Sequence, residues 1–557
     1  MSVEDILHTV GDTGRYQKLI LVLISFTFVL QTLFGLVNVF FTMTSDHYCR
    51  VYSNQTYELD SPLKRATIPR THHENQTTWD SCHMYNMNES MIFDSYLANG
   101  TASNRSSFVA MGVHPCDHSW VFDRSSVSNT LVMEFNLVCD RFWLQQLPKS
   151  TYAFAGIFGS LIFGPLSDAY GRKPTYFFTL IIALIFNLLM YLATTFSMFV
   201  ICQFLMGIVS PAIYNIGHLI VVEMVTTKTR PMALIVPSLA HPICELLLAG
   251  MSYAARSNWR IIQLVVLLGC LLTIPYYWIL DESPRWLYQQ GRVEETEKLF
   301  EKIAKWNKTT YQRQSFKSPD TKEEEDNRTS PISALTNLFV RKELRCRTIS
   351  ISVGWLSIGT FYYGVGYNFN FITNNTFTNL ILGLVSISDV IGYLLCWLML
   401  KYLPRRWLLF SSIIITALCW MVAGMVGNEA VKISFVVVAK MFAVIQYIAF
   451  FAYSAELYPT EVRNASIGLG QTLAYIGATV APYIFALMDI NPLLPFIIIS
   501  SLLVVGGVMV LLLPETFNEE LMDSIDDITK RREDDSVITK KGTEGSRLLE
   551  ERRHPGQ

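Results

Sequence analysis

The apolar residues of this chain come in unbroken runs rather than at the spacing of a half-exposed helix. IIALIFNLLMYLA (181–193) and IIQLVVLLGCLLTI (261–274) carry no charge at all. A helix crosses the hydrocarbon of a bilayer with about 20 predominantly apolar residues. About twelve stretches meet that need, near 19–41, 150–169, 175–194, 197–223, 231–254, 261–280, 348–370, 376–400, 407–426, 432–455, 464–487 and 492–513. Charged residues make up 16% of the 557 positions, against about 25% in ordinary soluble domains. The pattern predicts an all-α membrane protein of twelve transmembrane helices. The first eighteen residues are polar, and the run that follows is too long for the core of a cleavable signal, so it reads as a retained anchor.

Orientation follows from Lys and Arg in short loops, which stay on the cytoplasmic side. Arg172 and Lys173 follow span two, Lys228 and Arg230 follow span four, and Lys401, Arg405 and Arg406 follow span eight. ATTFS (193–197), on the other side, has none. Both termini are therefore expected in the cytoplasm of a cell whose plasma membrane the chain spans, with 44–147 outside. That long segment holds Asn-x-Ser/Thr sequons at Asn54, Asn75, Asn88, Asn99 and Asn104, usable only in the secretory lumen. It also holds Cys49, Cys82, Cys116 and Cys139, an even set that suggests two disulfides with three pairings open. The other six cysteines are expected to be apolar packing residues. Sequons at Asn307 and Asn327 fall in the cytoplasmic loop and are expected to stay bare.

The chain also repeats itself. Arg172 answers to Arg405, Glu223 to Glu456, Arg230 to Arg463 and Glu282 to Glu515, each at an offset of 233 positions (172 to 405, 223 to 456, 230 to 463, 282 to 515). Each pair falls at the same place in its half. The expected plan is two pseudo-symmetric six-helix halves, 19–280 and 348–514, with a substrate site near midplane between them. A cytoplasmic linker (281–347) joins the halves, and 1–18 and 515–557 are cytoplasmic ends. In the linker, 294–306 reads as an amphipathic helix and 317–330 as a flexible charged stretch. In the tail, Glu544 followed by Leu548-Leu549 fits an acidic di-leucine signal for a sorting adaptor. Acids and bases at the cytoplasmic helix ends can latch an inner gate. Asp168 with Arg172 is expected to form half of such a latch and Glu456 with Arg463 another, and Glu223, Arg230 and Arg405 are the further gating candidates.

Four segments resemble the organic cation, organic anion and carnitine transporters of the major facilitator superfamily. GPLSDAYGRKP (164–174) is similar to the loop after span two, DESPRWL (281–287) to the segment after span six, and SAELYPTEVRN (454–464) to the end of span ten. EFNLVCDR (134–141), before span two, sets this family apart from sugar transporters. The resemblance covers roughly 5–520. It implies the major facilitator fold, alternating access and a polyspecific central cavity. Two departures stand out: the large loop has four cysteines where the family often has about six, and Lys401 replaces an acidic residue in the second loop motif.

A charge inside a span is costly and faces a cavity or a partner. Asp389 in span eight falls where cation carriers place a glutamate, and could attract an ammonium or pair with Lys440 of span ten. His241 and Glu245 in span five and His218 in span four are further polar positions, with proton coupling through histidine in view. By the resemblance, Tyr214, Trp355, Tyr362 and Tyr447 line the cavity, where a ring face can hold a cation. At Tyr475 cation carriers have aspartate, and anion or carnitine carriers arginine. The set points to a small organic cation or a zwitterion with an exposed amine, with an organic anion, a neutral substrate or a non-transporting receptor as the alternatives. Nothing in the sequence has the pattern of a nucleotide loop, a metal-spaced cluster or a nucleophile with its base, so no enzyme, cofactor or metal is expected. A net charge of −2 without a basic patch gives no footing for nucleic acid.

Overall fold

The computed structural model describes residues 3–11, 13–51, 55–58, 62–73, 76–86, 112–116, 119–226, 229–311, 331–369 and 378–517. Asn54, Asn75, Asn88, Asn99, Asn104, the stretch 317–330 and the di-leucine motif lie outside them. Among the described residues nine helices are long and apolar enough to cross a membrane: 15–41, 172–191, 196–223, 232–254, 259–279, 380–402, 405–425, 429–457 and 494–511. Three further long helices, Leu147–Tyr170, Lys342–Tyr367 and Thr460–Ala486, stand at the places of spans two, seven and eleven. Gly, Ser, Thr and Ala dilute the apolar character of these three.

Several spans are interrupted where sequence chemistry demands it. Span five divides into Arg230–Ser238 and Ala240–Ala254 between Pro237 and Pro242. A proline lacks the N–H that would bond the carbonyl one turn earlier. Span six divides into Trp259–Leu271 and Tyr276–Ile279 next to Pro275.

The described residues within 44–147 form a small module with three short strand pairs. His47–Cys49 pairs antiparallel with Trp120–Phe122, Arg70–His73 with Gln76–Trp79, and His83–Tyr85 with Val113–Pro115. Of the three open pairings of cysteines, the structure makes Cys49–Cys116 and Cys82–Cys139. Tyr48, Cys49, Ile68, Met84 and Val121 form the apolar core. Lys64 is buried there with its ammonium 4.9, 5.4 and 5.6 Å from the Tyr48, Tyr57 and Trp79 ring centroids. Glu134 ties the module to span six. It accepts from Trp259 Nε1 at 2.7 Å and Asn129 Nδ2 at 2.9 Å, and pairs with Arg260.

Before span one lies a helix that the polar composition of 1–18 conceals. Val3–Val10 buries Ile6, Leu7 and Val10 against the linker helices. Those helices are Pro284–Gln289 and Val293–Asn307. The second bears out the amphipathic reading by burying Leu299, Phe300, Ile303 and Ala304. Asn307 joins the two regions, accepting from the Tyr16 backbone N–H at 3.0 Å and donating to the Val10 carbonyl at 3.1 Å. Of the remaining six cysteines, Cys346 is exposed rather than packed.

The chain forms two compact units. One holds 1–315, 364–387 and 479–494, and the other 316–363, 388–478 and 495–557. The first six-helix half thus lies in one unit with one end each of spans seven, eight and eleven.

Candidate functional site

The two helical halves repeat their side-chain bonds as well as their sequence. In the first, Arg172 Nε donates to Glu223 at 3.3 Å and Nη1 to the Ser167 carbonyl at 2.8 Å. In the second, Arg405 Nε donates to Glu456 at 3.2 Å and Nη1 to the Leu400 carbonyl. Glu282 accepts the backbone N–H groups of Arg172 and Lys173 at 2.9 and 3.2 Å. Glu515 accepts those of Arg405 and Arg406 at 2.7 and 3.1 Å. These are the first amides of spans three and nine, which have no partner inside their own helix and favour an anion. Burial pushes the Glu282 carboxyl up, against the opposing pull of the Ser283, Lys173 and Arg172 amides. The packing of spans two on four and eight on ten is duplicated as well. A Cβ on Gly159 would sit 1.9 Å from the Ile208 carbonyl oxygen, and one on Gly392 3.0 Å from that of Met441.

These bonds refine the gating candidates. Arg172 and Glu223 have side chains only 7% and 13% exposed, whereas Asp168, 2.7 Å from Arg172, is 69% exposed. The Glu223 bond therefore carries more of the energy, because exposed pairs contribute little. Arg230 reaches Glu4 of the N-terminal helix at 3.8 Å, and Arg285 reaches the same carboxylate at 3.4 Å. Arg463 Nε donates to the Tyr458 carbonyl at 3.3 Å. The Arg172–Glu223 and Arg405–Glu456 bonds each join helices of a single half. Of the expected latch pairs Asp168–Arg172 is made, and the Arg172–Glu223 and Arg405–Glu456 bonds brace helix ends within a half.

Within the second unit, a buried lysine lies against an aromatic cluster. Asp389 of Thr378–Tyr402 and Lys440 of Glu429–Leu457 are both buried. Lys440 Nζ lies 3.5 Å from the Tyr362 ring centroid and donates to the Tyr362 carbonyl at 3.3 Å. The Tyr362 and Tyr447 rings stack at 5.0 Å, and Tyr363 stacks on Tyr475 at 5.8 Å. The Tyr363 and Tyr447 hydroxyls share a hydrogen bond of 3.0 Å. Trp355 meets Tyr447 edge-on at 5.6 Å and donates to Ser454 Oγ at 3.2 Å. Six of these residues, Asp389, Lys440, Tyr362, Tyr447, Tyr475 and Trp355, were expected from sequence. Tyr363, the link between Tyr447 and Tyr475, was missed, although its place beside Tyr362 in FYYG was a signal.

Within the first unit, Phe28 stacks on Tyr214 at 5.0 Å and leans on His218 at 4.6 Å. His218 Nε2 lies 3.4 Å from Ser238 Oγ, beside the break in span five. His241 Nδ1 is 3.7 Å from Glu245 Oε1 one turn further along, and Glu245 is fully buried. Lys149, near the start of span two, was not anticipated. It is buried and donates to Asn368 Oδ1 at 3.0 Å.

The family model described as sugar (and other) transporter matches residues 76–526. The chain is 30% identical over 538 residues to the Organic cation transporter protein of Drosophila melanogaster, covering 95% of this chain and 94% of that one. It is 27% identical over 543 residues to Organic cation/carnitine transporter 2 of Homo sapiens, covering 95% and 94%. It is 28% identical over 557 residues to the Beta-alanine transporter of Drosophila melanogaster, covering 95% and 89%. The structure is similar in fold to the inward open conformation of the xylose transporter XylE from E. coli. The TM-score is 0.52 at 17% identity, over 67% of this chain and 87% of that one.

Proposed function

The chain belongs to the organic cation, organic anion and carnitine transporters of the major facilitator superfamily, and on that footing we propose that it carries a small organic cation or zwitterion across the plasma membrane by alternating access. It is a multi-pass membrane transporter and not an enzyme. The observation that carries the choice of substrate is the buried Lys440 on the Tyr362 ring, within the Tyr362, Tyr447, Tyr363 and Trp355 cluster, together with the buried acid Asp389 on span eight of the same unit. A buried acid within a span and a cluster of stacked ring faces each suit an ammonium group. Lys440 resting on the Tyr362 ring marks that face as a seat for a cation, and its own charge favours a substrate that also brings a carboxylate. Relatives are named for organic cations, carnitine and beta-alanine. All of these carry a cationic nitrogen at neutral pH, and the last two carry a carboxylate as well.

Two disulfides in 44–147 support placing that module in an oxidising compartment outside the cell. The basic short loops at 172–173 and 401–406 then face the cytoplasm, as do both termini. Asp389, Lys440, Tyr362, Tyr447, Tyr475 and Trp355 are the proposed substrate residues of the second unit, and Tyr214 and His241 those proposed for the first.

The test is uptake into oocytes of labelled tetraethylammonium, carnitine, beta-alanine, biogenic amines and p-aminohippurate, with Asp389→Asn beside the wild type. Uptake of a cation or zwitterion, lost in Asp389→Asn at unchanged surface level, is the expected result. Uptake of p-aminohippurate alone would overturn it and assign an organic anion. No uptake from the panel despite surface expression would favour a receptor.

A further inference from the structure

We propose that Lys149 and Asn368 form a hydration-sensitive clasp that closes the module-side end of the transport path. The proposal rests on the sidedness given above. Asn368 follows directly on Lys342–Tyr367, at the end of span seven nearest the 44–147 module. Lys149 lies in the first turn of span two at the same end, and the two side chains meet at 3.0 Å with Lys149 1% exposed. This bond therefore joins the first half of the chain to the second.

Its neighbours repeat the connection. Tyr152, one turn below Lys149, meets the Tyr367 ring edge-on at 6.5 Å. A Cβ on Gly35 of span one would stand 2.9 Å from the Tyr367 hydroxyl, so a glycine there lets the ring seat. Tyr152 then donates to Ser210 Oγ at 2.6 Å, and Gln31, one turn from Gly35, donates to the same oxygen at 2.9 Å. Spans one, two, four and seven are thus joined in one chain of contacts.

The charge gives the clasp its two-way character. When the ends part, water solvates the Lys149 ammonium; when they close, that water is lost and the Asn368 carbonyl oxygen replaces part of it. Burying an ammonium is costly, and a hydrogen bond to it recovers a share of the cost. Closure is kept shallow, so the end can reopen in each cycle. The two partners should then respond in opposite directions. Asn368→Leu removes the acceptor while the ammonium is still buried, and favours the open end. Lys149→Met removes the cost itself, and favours the closed end.

The experiment places a reporter cysteine, Gln31→Cys, in the full chain on intact cells and follows its reaction with a membrane-impermeant thiol reagent. Surface level is checked by biotinylation. Adding Asn368→Leu is expected to raise the reaction rate roughly tenfold, and adding Lys149→Met to lower it. No change in either variant, or an equal rise in both, would overturn the clasp. As a second measurement, a Lys149→Cys/Asn368→Cys pair is oxidised and is expected to protect the reporter until reduced; no protection would also overturn it. A Val113→Cys control on the exposed module surface tests sidedness separately. If that control does not react from outside, the sidedness fails and the clasp is judged by the same reagent on inside-out vesicles.

Discussion

The ammonium of Lys440 rests 3.5 Å from the centre of the Tyr362 ring, and the backbone carbonyl of that same tyrosine accepts its hydrogen bond. Ring and lysine can therefore be separated by substitution. Tyr362→Phe keeps the π-face and is expected to leave uptake of the carried substrate within about twofold. Tyr362→Ala removes the face and is expected to raise KM by about 2- to 30-fold, the range of a partly to fully desolvated cation–π contact. Equal KM values in the two variants would show that the ring face does not seat a cation. Concentration-dependent uptake of the panel member that is transported supplies the measurement.

Gly171 and Pro404 occupy the same place before spans three and nine, and they should respond unequally. Gly171 has φ of 111°, and a Cβ there would come 2.5 Å from Glu282 Oε2. Pro404 sits at φ of −59° and already carries a Cβ. Gly171→Ala is expected to lower stability by about 1–3 kcal/mol, combining backbone strain with displacement of the carboxylate. Pro404→Ala is expected to stay within about 1 kcal/mol. Thermal unfolding of the purified protein in detergent, followed by tryptophan fluorescence, compares the two.

Glu134 introduces a dependence on pH. Burial pushes its carboxyl up, but the bonds from Arg260, Trp259 and Asn129 together outweigh that and hold it below the usual carboxylate range. A depressed folded-state pKa stabilises fully above the ordinary glutamate value, and the stabilisation is lost as pH falls through the depressed value. The junction of the module with span six should weaken on acidification in that window. Glu134→Gln should remove this acid dependence and cost roughly 1–3 kcal/mol at neutral pH. Hydrogen exchange of 131–137 as a function of pH reads it, and an unchanged acid profile in the variant would assign the dependence to other groups.

The two disulfides make a pairwise statement. Cys49→Ser and Cys116→Ser should each match their own double variant, and Cys82→Ser should match Cys139→Ser in the same way. Each loss should destabilise the module by roughly 4 kcal/mol, given closed loops of 67 and 57 residues. Surface expression and protease resistance of the module provide the readout. Single and double losses that differ within a pair would contradict the connectivity.

The membrane architecture was legible because it is written in long stretches. An apolar run of twenty residues has few structural alternatives, and charges within it, such as Asp389 and Lys440, announce themselves by their cost. Matched residues 233 positions apart gave the two-half plan. Asp168 was legible as a partner of Arg172, but Glu223 and Glu456 as the partners of Arg172 and Arg405 were not, since several acids lie within reach of each helix end and only folding selects among them. The disulfide pairing stayed open for the same reason. Lys149 was missed because a lysine at the head of a span ordinarily reaches out to the interface, and nothing local marks it as turned inward. The helix Val3–Val10 was missed because eight residues with three buried positions are too short a pattern to stand out from a polar terminus.

Glu282 and Glu515 cap spans three and nine through the same two amides, and Arg172 and Arg405 grip their neighbours through the same atoms. The molecule therefore contains a replicate of its own bracing. A substitution made in one copy has its comparator in the other, in the same polypeptide, membrane and assay. Where the two copies respond alike, the residue belongs to the inherited scaffold. Where they diverge, the difference measures how far the halves have specialised since they were one sequence.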